Sequence, residues 1–253
     1  MTVPTPRTLY VHDDLVPPLR ARFGDAAPIT KLARELLERV AGDGVVLLSL
    51  ERQLEAVIGR GGHAPFDAAV GIAGAGEVVA RQLHARTAWF PLIHRVEVTR
   101  VEDAAGGYVL ETQRRPALAA QLGALDLGDR VAVVDDTVYS GLTMRAVLSA
   151  LPGGVRAHAF CLRGVADSIA TVAALCPIAP GFVASGRLDH DVSFINASGL
   201  VRRGAIRRAG AAPLAFFERP EWLRAWFPGR DAAIVELCRD LHALLDEAGI
   251  GDL

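Results

Sequence analysis

Between Ala68 and Ala184 short apolar runs alternate with stretches of helical pattern, and this alternation constrains the fold more than any other feature. Ala68–Ile72, Thr87–Leu92, Val131–Val134, Ala157–Leu162 and Gly181–Ala184 read as strands. Glu77–Ala85, Leu142–Leu151 and Asp167–Ala174 read as helices between them, and Ala73-Gly74-Ala75-Gly76 reads as a turn. Strands separated by helices do not pair as tight hairpins; they form βαβ units and a parallel sheet. The expected class is α/β.

The flanks are less regular. Met1–Pro28 is proline-bearing and irregular. Ile29–Ala41 reads as a helix capped by Thr30, with Leu32, Leu36, Leu37 and Val40 on one stripe. Val45–Leu50 is either a strand or a helix start, and Arg52–Gly59 reads as a helix. The polar stretch from Val96 to Pro116, with Gly106-Gly107, is expected to be a mobile hairpin on the ligand side of the sheet. Gly186–Ala212 is rich in arginine and glycine without a clear period, and Glu221–Ala248 is helical with a break at Pro228-Gly229. The expected division is a core over 29–185, with 1–28 and 186–253 forming a hood and C-terminal helical subdomain.

Composition narrows the function. Apolar residues make up 51% of the chain, enough for a sizeable core, and the net charge of −2 gives no basic footprint for nucleic acid. The N-terminus lacks the apolar segment of a signal peptide, and runs such as Val45–Leu50 are far too short to span a membrane. A cytoplasmic protein is the expectation. Cys161, Cys176 and Cys238 sit far apart without ligand spacing and are expected to be free thiols.

One segment carries chemistry. In Val131–Thr143, VAVVDDTVYSGLT, four apolar residues make a buried strand and two carboxylates, Asp135 and Asp136, emerge at its carboxyl end. Open α/β sheets bind ligands at that end. A loop of small and hydroxyl residues then feeds a helix N-terminus, where backbone N–H groups and the helix dipole favour an anion. Ser140 and Thr143 add hydroxyls, and Gly141 lets the backbone approach closely. An acidic pair beside a phosphate cradle fits a sugar phosphate.

This segment resembles the signature of type I phosphoribosyltransferases: an apolar strand, two acidic residues, and a loop ending in T/S-G-x-T, met here by Ser140-Gly141-Leu142-Thr143. Family-like order extends over about Ala68–Ala184. The resemblance implies a type I phosphoribosyltransferase-like parallel sheet flanked by helices, with a small hood and C-terminal helical subdomain. It also implies binding of phosphoribosyl pyrophosphate (PRPP) and transfer of its 5-phosphoribosyl group to an acceptor, with release of pyrophosphate. Asp135 and Asp136 would hold the ribose hydroxyls, directly or through Mg²⁺. Thr137, Val138, Tyr139, Ser140, Gly141, Leu142 and Thr143 would bind the 5-phosphate.

An earlier loop in the family binds pyrophosphate, and Ala73, Gly74, Ala75 and Gly76 stand in its place. Many members carry Arg or Lys there; this chain has neither, so side-chain charge must come from elsewhere. Arg95, beside His94, is the first candidate, because guanidinium matches phosphate in a bidentate manner. Arg100, Arg114 and Arg115 flank the polar stretch. The catalytic set implied is Asp135, Asp136 and Arg95. Tyr139 stands where 6-oxopurine members carry an acidic base, and a tyrosine with a pKa near 10 is a poor base at neutral pH.

The acceptor side is thinner. Asp189 and Asp191, with His190, are candidates for binding an amine-bearing acceptor or acting as base. His12-Asp13-Asp14 is a third polar cluster, with no role assigned beyond the hood. Arg202, Arg203, Arg207 and Arg208 read as a solvated face before an anion site, and Trp222, Trp226 and Phe227 read as core. The tail does not resemble the hoods of adenine, orotate or uracil enzymes. That points to an amine, nucleobase or hydroxyl of a specialised metabolite such as an aminocyclitol. The expected partners are PRPP and a small-molecule acceptor, without nucleic acid or membrane, and a homodimer is admitted. A non-catalytic PRPP-binding regulator is the alternative. A dehydrogenase is disfavoured, since Gly71-Ile72-Ala73-Gly74-Ala75-Gly76 does not keep the G-x-G-x-x-G spacing.

Overall fold

The computed structural model describes residues 5–60, 65–102, 108–111, 117–206 and 211–250. The expectations for Gly106, Gly107, Arg114, Arg115, Arg207 and Arg208 fall outside these residues, as does the side chain of Arg100. The elements in chain order are β1 (Thr8–Asp13), α1 (Val16–Phe23), α2 (Pro28–Val40), β2 (Val45–Ser49), α3 (Leu50–Gly59), β3 (Ala68–Ile72) and α4 (Ala73–Thr87). There follow β4 (Ile93–Val96), β5 (Thr99–Glu102), β6 (Tyr108–Glu111), α5 (Leu118–Gly123), β7 (Arg130–Val138), α6 (Leu142–Ala150), β8 (Arg156–Val165) and α7 (Ala166–Ala173). The chain closes with β9 (Ile178–Ala184), β10 (Val192–Asn196), α8 (Ala197–Val201), α9 (Pro220–Trp226) and α10 (Asp231–Glu247).

The described elements form two compact units, one holding the described residues of 5–50 and 187–250, the other those of 51–101 and 108–186. Each is α/β with a parallel sheet and helices against it. Among the described residues, no helix is long and apolar enough to cross a membrane.

The first unit holds a three-stranded sheet in the order β10-β1-β2, parallel throughout. Two of its strands lie where irregular chain is expected. β1 alternates, burying Leu9 and Val11 against Leu36, Val40, Ile195 and Leu241. Residues 29–50, expected with the core, belong to this unit, because β2 pairs with β1 and α2 packs on α10. Pro28 presets the first turn of α2, and Ile29, Ala33, Leu36, Leu37 and Val40 line its buried face. Thr30 does not cap this helix; it lies inside, buried.

The far end of α2 is closed by a side chain from the turn that precedes α10. Nη1 of Arg230 donates to the carbonyls of Arg39 at 3.0 Å, Val40 at 3.4 Å and Ala41. These carbonyls have no partner within the helix, and a cation there also meets the negative end of its dipole. Arg230→Ala is expected to cost about 1–2 kcal/mol in urea unfolding, with Arg230→Lys recovering part of it.

The second unit holds a five-stranded sheet in the order β4-β3-β7-β8-β9, all parallel. Numbered within the sheet this is 2-1-3-4-5, so the strand order reverses between β3 and β7. Ligands in open α/β sheets bind at the carboxyl ends on either side of such a switch. Val70, Val131, Val133 and Ala159 form one buried layer with Leu122 of α5, Met144 and Val147 of α6 and Val172 of α7. β5 and β6 form a separate two-stranded sheet.

The strand expected at Thr87–Leu92 is displaced. α4 runs on to Thr87, whose Oγ1 donates to the Leu83 carbonyl at 2.7 Å, and left-handed Ala88 ends it. The strand begins only at Ile93, beyond Pro91, which has no N–H to give to a ladder. At the other end α4 starts directly at Ala73, so Ala73–Gly76 is a first helical turn instead of a loop.

Candidate functional site

The carboxyl end of β7 gathers the acidic pair. Val131, Ala132, Val133 and Val134 are fully buried, and Asp135 and Asp136 then emerge half-buried. Oδ1 of Asp135 accepts the Asp136 N–H at 2.8 Å. Oδ2 of Asp136 accepts from the Thr137 hydroxyl at 3.2 Å and from Nη2 of Arg163 at 3.0 Å. Arg163 is only 1% exposed and lies on β8, where it pairs in register with Thr137.

The loop beyond β7 is held from behind. The Ser168 hydroxyl, in α7, donates to the Tyr139 carbonyl at 2.7 Å. Gly141 has φ +74°, and a Cβ there would stand 3.0 Å from Thr171 Oγ1. Only glycine takes that conformation cheaply, so Gly141 allows α6 to begin at Leu142 against α7. Thr143 lies in the first turn of α6. Its Oγ1 is buried, with no hydrogen-bond partner among the described residues, and the side chain lines a small hollow with Asp135, Thr137, Tyr139 and Gly141. An orphaned buried hydroxyl, a glycine turn and the N–H groups of a helix start together form an acceptor-seeking concavity.

Across the switch point stands the first turn of α4. Ala73 has φ +51°, left-handed backbone for a residue with a side chain. Gly71 and Gly76 serve close packing: a Cβ on Gly71 would lie 2.5 Å from Glu77 backbone, and one on Gly76 would lie 2.3 Å from the Val134 carbonyl oxygen. The N–H groups of this turn precede any intrahelical acceptor. Arg95 lies over it, with its Nη1 3.6 Å from where a Gly74 Cβ would stand. That guanidinium is half exposed and pairs with Glu97 and, at 3.7 Å, with Glu77. His94 is turned elsewhere, with Nε2 2.9 Å from the Asp126 carbonyl.

Asp189 and Asp191 belong to the other compact unit, on the turn before β10. Asp191 accepts the Arg187 N–H at 2.9 Å and contacts His190 Nδ1 at 2.8 Å. The backbone hydrogen bond first, and the histidine second, pull its carboxyl down to about 2. Such a group is a weak base at neutral pH. Asp189, at φ +60°, accepts from Ser193 at 3.0 Å. Both carboxylates close their own turn. Asp13 receives the N–H groups of Leu15 and Val16 at the start of α1, and Asp14 receives the Ser198 N–H and hydroxyl at the start of α8. Arg203 pairs with Glu218 through both Nε and Nη2, and Trp222, Trp226 and Phe227 are buried in the core of this unit.

The structure therefore brings Asp135, Asp136, the Thr137–Thr143 loop, the Ala73–Gly76 turn and Arg95 onto one sheet. Sequence reasoning missed Arg163, Ser168 and Thr171. Arg163 left one trace, a lone charge within the apolar run Ala157–Val165.

No family model matches the chain, and no curated protein sequence matches it. Solved structures are similar at a distance. A protein from Neisseria gonorrhoeae with bound ppGpp is 19% identical at a TM-score of 0.41, over 56% of this chain and 81% of that one. Adenine phosphoribosyltransferase from Rhodothermus marinus is 18% identical at a TM-score of 0.38, over 53% and 79%. Helicobacter pylori xanthine-guanine-hypoxanthine phosphoribosyltransferase is 17% identical at 0.37, over 57% and 86%.

Proposed function

We propose that the chain binds PRPP at the β3/β7 switch point and transfers its 5-phosphoribosyl group to a small-molecule acceptor. One observation carries this reading. The Asp135–Asp136 pair stands directly beside a loop that ends on the α6 N-terminus with the Thr143 hydroxyl buried and unmatched. The 5-phosphate sits on the loop N–H groups, Ser140 and Thr143. Ribose hydroxyls donate to the acidic pair. Pyrophosphate meets the first turn of α4, with Arg95 supplying the charge that the turn itself lacks.

Among the described residues no group of three ligating side chains could hold a metal ion by itself. Two carboxylates next to a phosphate cradle suit Mg²⁺, which keeps waters and shares its coordination with substrate oxygens. Asp135 and Asp136 are the residues that would meet it, and its chemistry would be neutralisation of the diphosphate. The rest is positional. Departure of pyrophosphate leaves oxocarbenium character on the ribose, which the half-buried carboxylates stabilise, while Arg95 and the α4 N–H groups receive the negative charge. The acceptor is an amine, nucleobase or hydroxyl of a specialised metabolite such as an aminocyclitol, acting as its own nucleophile, since the hydrogen bonds of Asp191 leave it a weak base.

The test is incubation with PRPP, Mg²⁺ and a panel of amines, nucleobases and aminocyclitols, with pyrophosphate release and PRPP affinity both measured. Release with one class of acceptor is the expected result. Tight PRPP binding without release from any acceptor would make the protein a PRPP-responsive regulator. No PRPP binding would overturn the reading.

A further inference from the structure

β7 and β8 both begin on an arginine, and the parallel register sets Arg130 beside Arg156. Neighbouring strands lie about 4.8 Å apart and paired residues leave the sheet on the same face, so two cations stand side by side. Like charges opposed in this way cost stability. Neither guanidinium forms an ion pair among the described residues. The carboxylate near them is Asp67, whose Oδ2 accepts the N–H groups of Asp129 at 2.8 Å and Arg130 at 2.9 Å. Those two N–H groups, and after them the charges of the two arginines, hold its carboxyl below the ordinary range. One carboxylate, already committed to two backbone donors, stands near two guanidinium groups.

Both arginines line a cavity of about 720 Å³ at the amino ends of β7 and β8. It lies at the other end of the sheet from Asp135, about 16 Å away along β7 by the rise of a strand. Its size is that of a small-molecule site. The walls divide by chemistry. On one side the Arg130 guanidinium lies over the Phe66 ring, 5.3 Å from its centroid, with Nη1 donating to the Pro65 carbonyl at 3.2 Å. Arg156 beside it is exposed, and its side chain makes no hydrogen bond among the described residues. On the other side the end of α6 and the chain after α7 bring Leu148, Leu151 and Leu175, the last of them 52% exposed. The carbonyls of the last turn of α6 have no donor within the helix. We propose that this cavity binds a mononucleotide. The phosphate lies on the paired guanidinium forks, which match its oxygens in a bidentate manner. The base lies against the leucines, where its N–H groups reach the carbonyls at the end of α6. The proposal stands whatever occupies the switch point.

The test is calorimetry with the four ribonucleoside 5′-monophosphates, their nucleosides and inorganic phosphate. At least one monophosphate is expected to bind and to raise the melting midpoint. Its nucleoside and inorganic phosphate are expected to bind at least about tenfold more weakly, since each lacks one half of the contacts. Arg156→Ser is expected to weaken the monophosphate by about tenfold or more, the loss of a hydrogen bond to a charged group, and Arg156→Glu to abolish its binding. Arg156 is exposed and bonded to no side chain, so both variants are expected to fold, with melting midpoints near the wild type when no ligand is present. Thr143→Val, at the other end of the sheet, is expected to leave this binding intact. Binding lost in Thr143→Val and kept in Arg156→Glu would belong to the switch point and overturns the proposal. A wild-type protein that binds none of the monophosphates overturns it too. Inorganic phosphate bound as tightly as the monophosphates leaves the apolar wall no part and overturns the ligand class. Absence of PRPP binding removes the reading of the switch point and leaves this cavity to be judged by its own result.

Discussion

Thr143→Val is expected to raise the stability of the protein and to cost it phosphate affinity. The Thr143 hydroxyl is buried without a partner among the described residues. An unsatisfied buried hydroxyl costs about 1–3 kcal/mol of desolvation that the folded state does not recover. Valine has the same shape without the polar atom, so unfolding free energy should increase by about 1 kcal/mol, or about 2–4 °C in the melting midpoint for a chain of this size. In the proposed site the same hydroxyl donates to a phosphate oxygen on the α6 N-terminus. A hydrogen bond to a charged group contributes about 1.5–3 kcal/mol, so affinity for PRPP and ribose 5-phosphate should fall by about tenfold or more. Thr143→Ser keeps the hydroxyl and should keep the affinity. Calorimetric binding and thermal unfolding on the same samples separate the two effects. A valine variant that binds as tightly as the wild type would leave the hollow with no claim to phosphate.

How far the sequence could be read follows from how local each constraint is. The β3–α4 and β7–α6 units were legible because the apolar runs and the polar loop between them lie within one stretch of chain. Asp135 and Asp136 were legible for the same reason: a buried strand has to end before charge can appear. The three-stranded sheet of the first unit was not. β1 reads TLYVHD between prolines, and β10 is five residues after a charged turn. Each becomes a strand by pairing with the other, Thr8 to Val192, from opposite ends of the chain. Arg163 shows the same limit at the site. The lone charge in its run was visible, but its partner depends on the register that sets Thr137 opposite Arg163. Asp189 and Asp191 looked like candidate ligands because they are dense and polar. Their hydrogen bonds to Ser193 and to the Arg187 N–H, which no sequence pattern announces, build the turn before β10.

The largest loss of stability is expected from Gly76→Ala, and the reason again lies in a distant contact. Judged by helix propensity, alanine should improve α4 by about 1 kcal/mol over glycine. The packing gives the opposite sign. A Cβ at Gly76 would stand 2.3 Å from the Val134 carbonyl oxygen and 3.3 Å from the Asp135 Cα. These are backbone atoms of a central strand, with no side chain to swing aside, so α4 must lift from β7 or the strand must bend. Overpacking of this kind costs about 1–3 kcal/mol and more where backbone has to move, which outweighs the propensity gain. A net loss of about 3 kcal/mol is expected by urea unfolding. Gly74→Ala is the control in the same turn. There the nearest atoms belong to the flexible Arg95 guanidinium, at 3.6 Å or beyond, so propensity should prevail and stability should hold or rise. Because the atoms displaced by Gly76→Ala include Asp135, its PRPP affinity should fall even where it remains folded. Equal stability of the two alanine variants would mean that α4 does not approach β7 closely, and the two halves of the proposed site would then lack the element that holds them together.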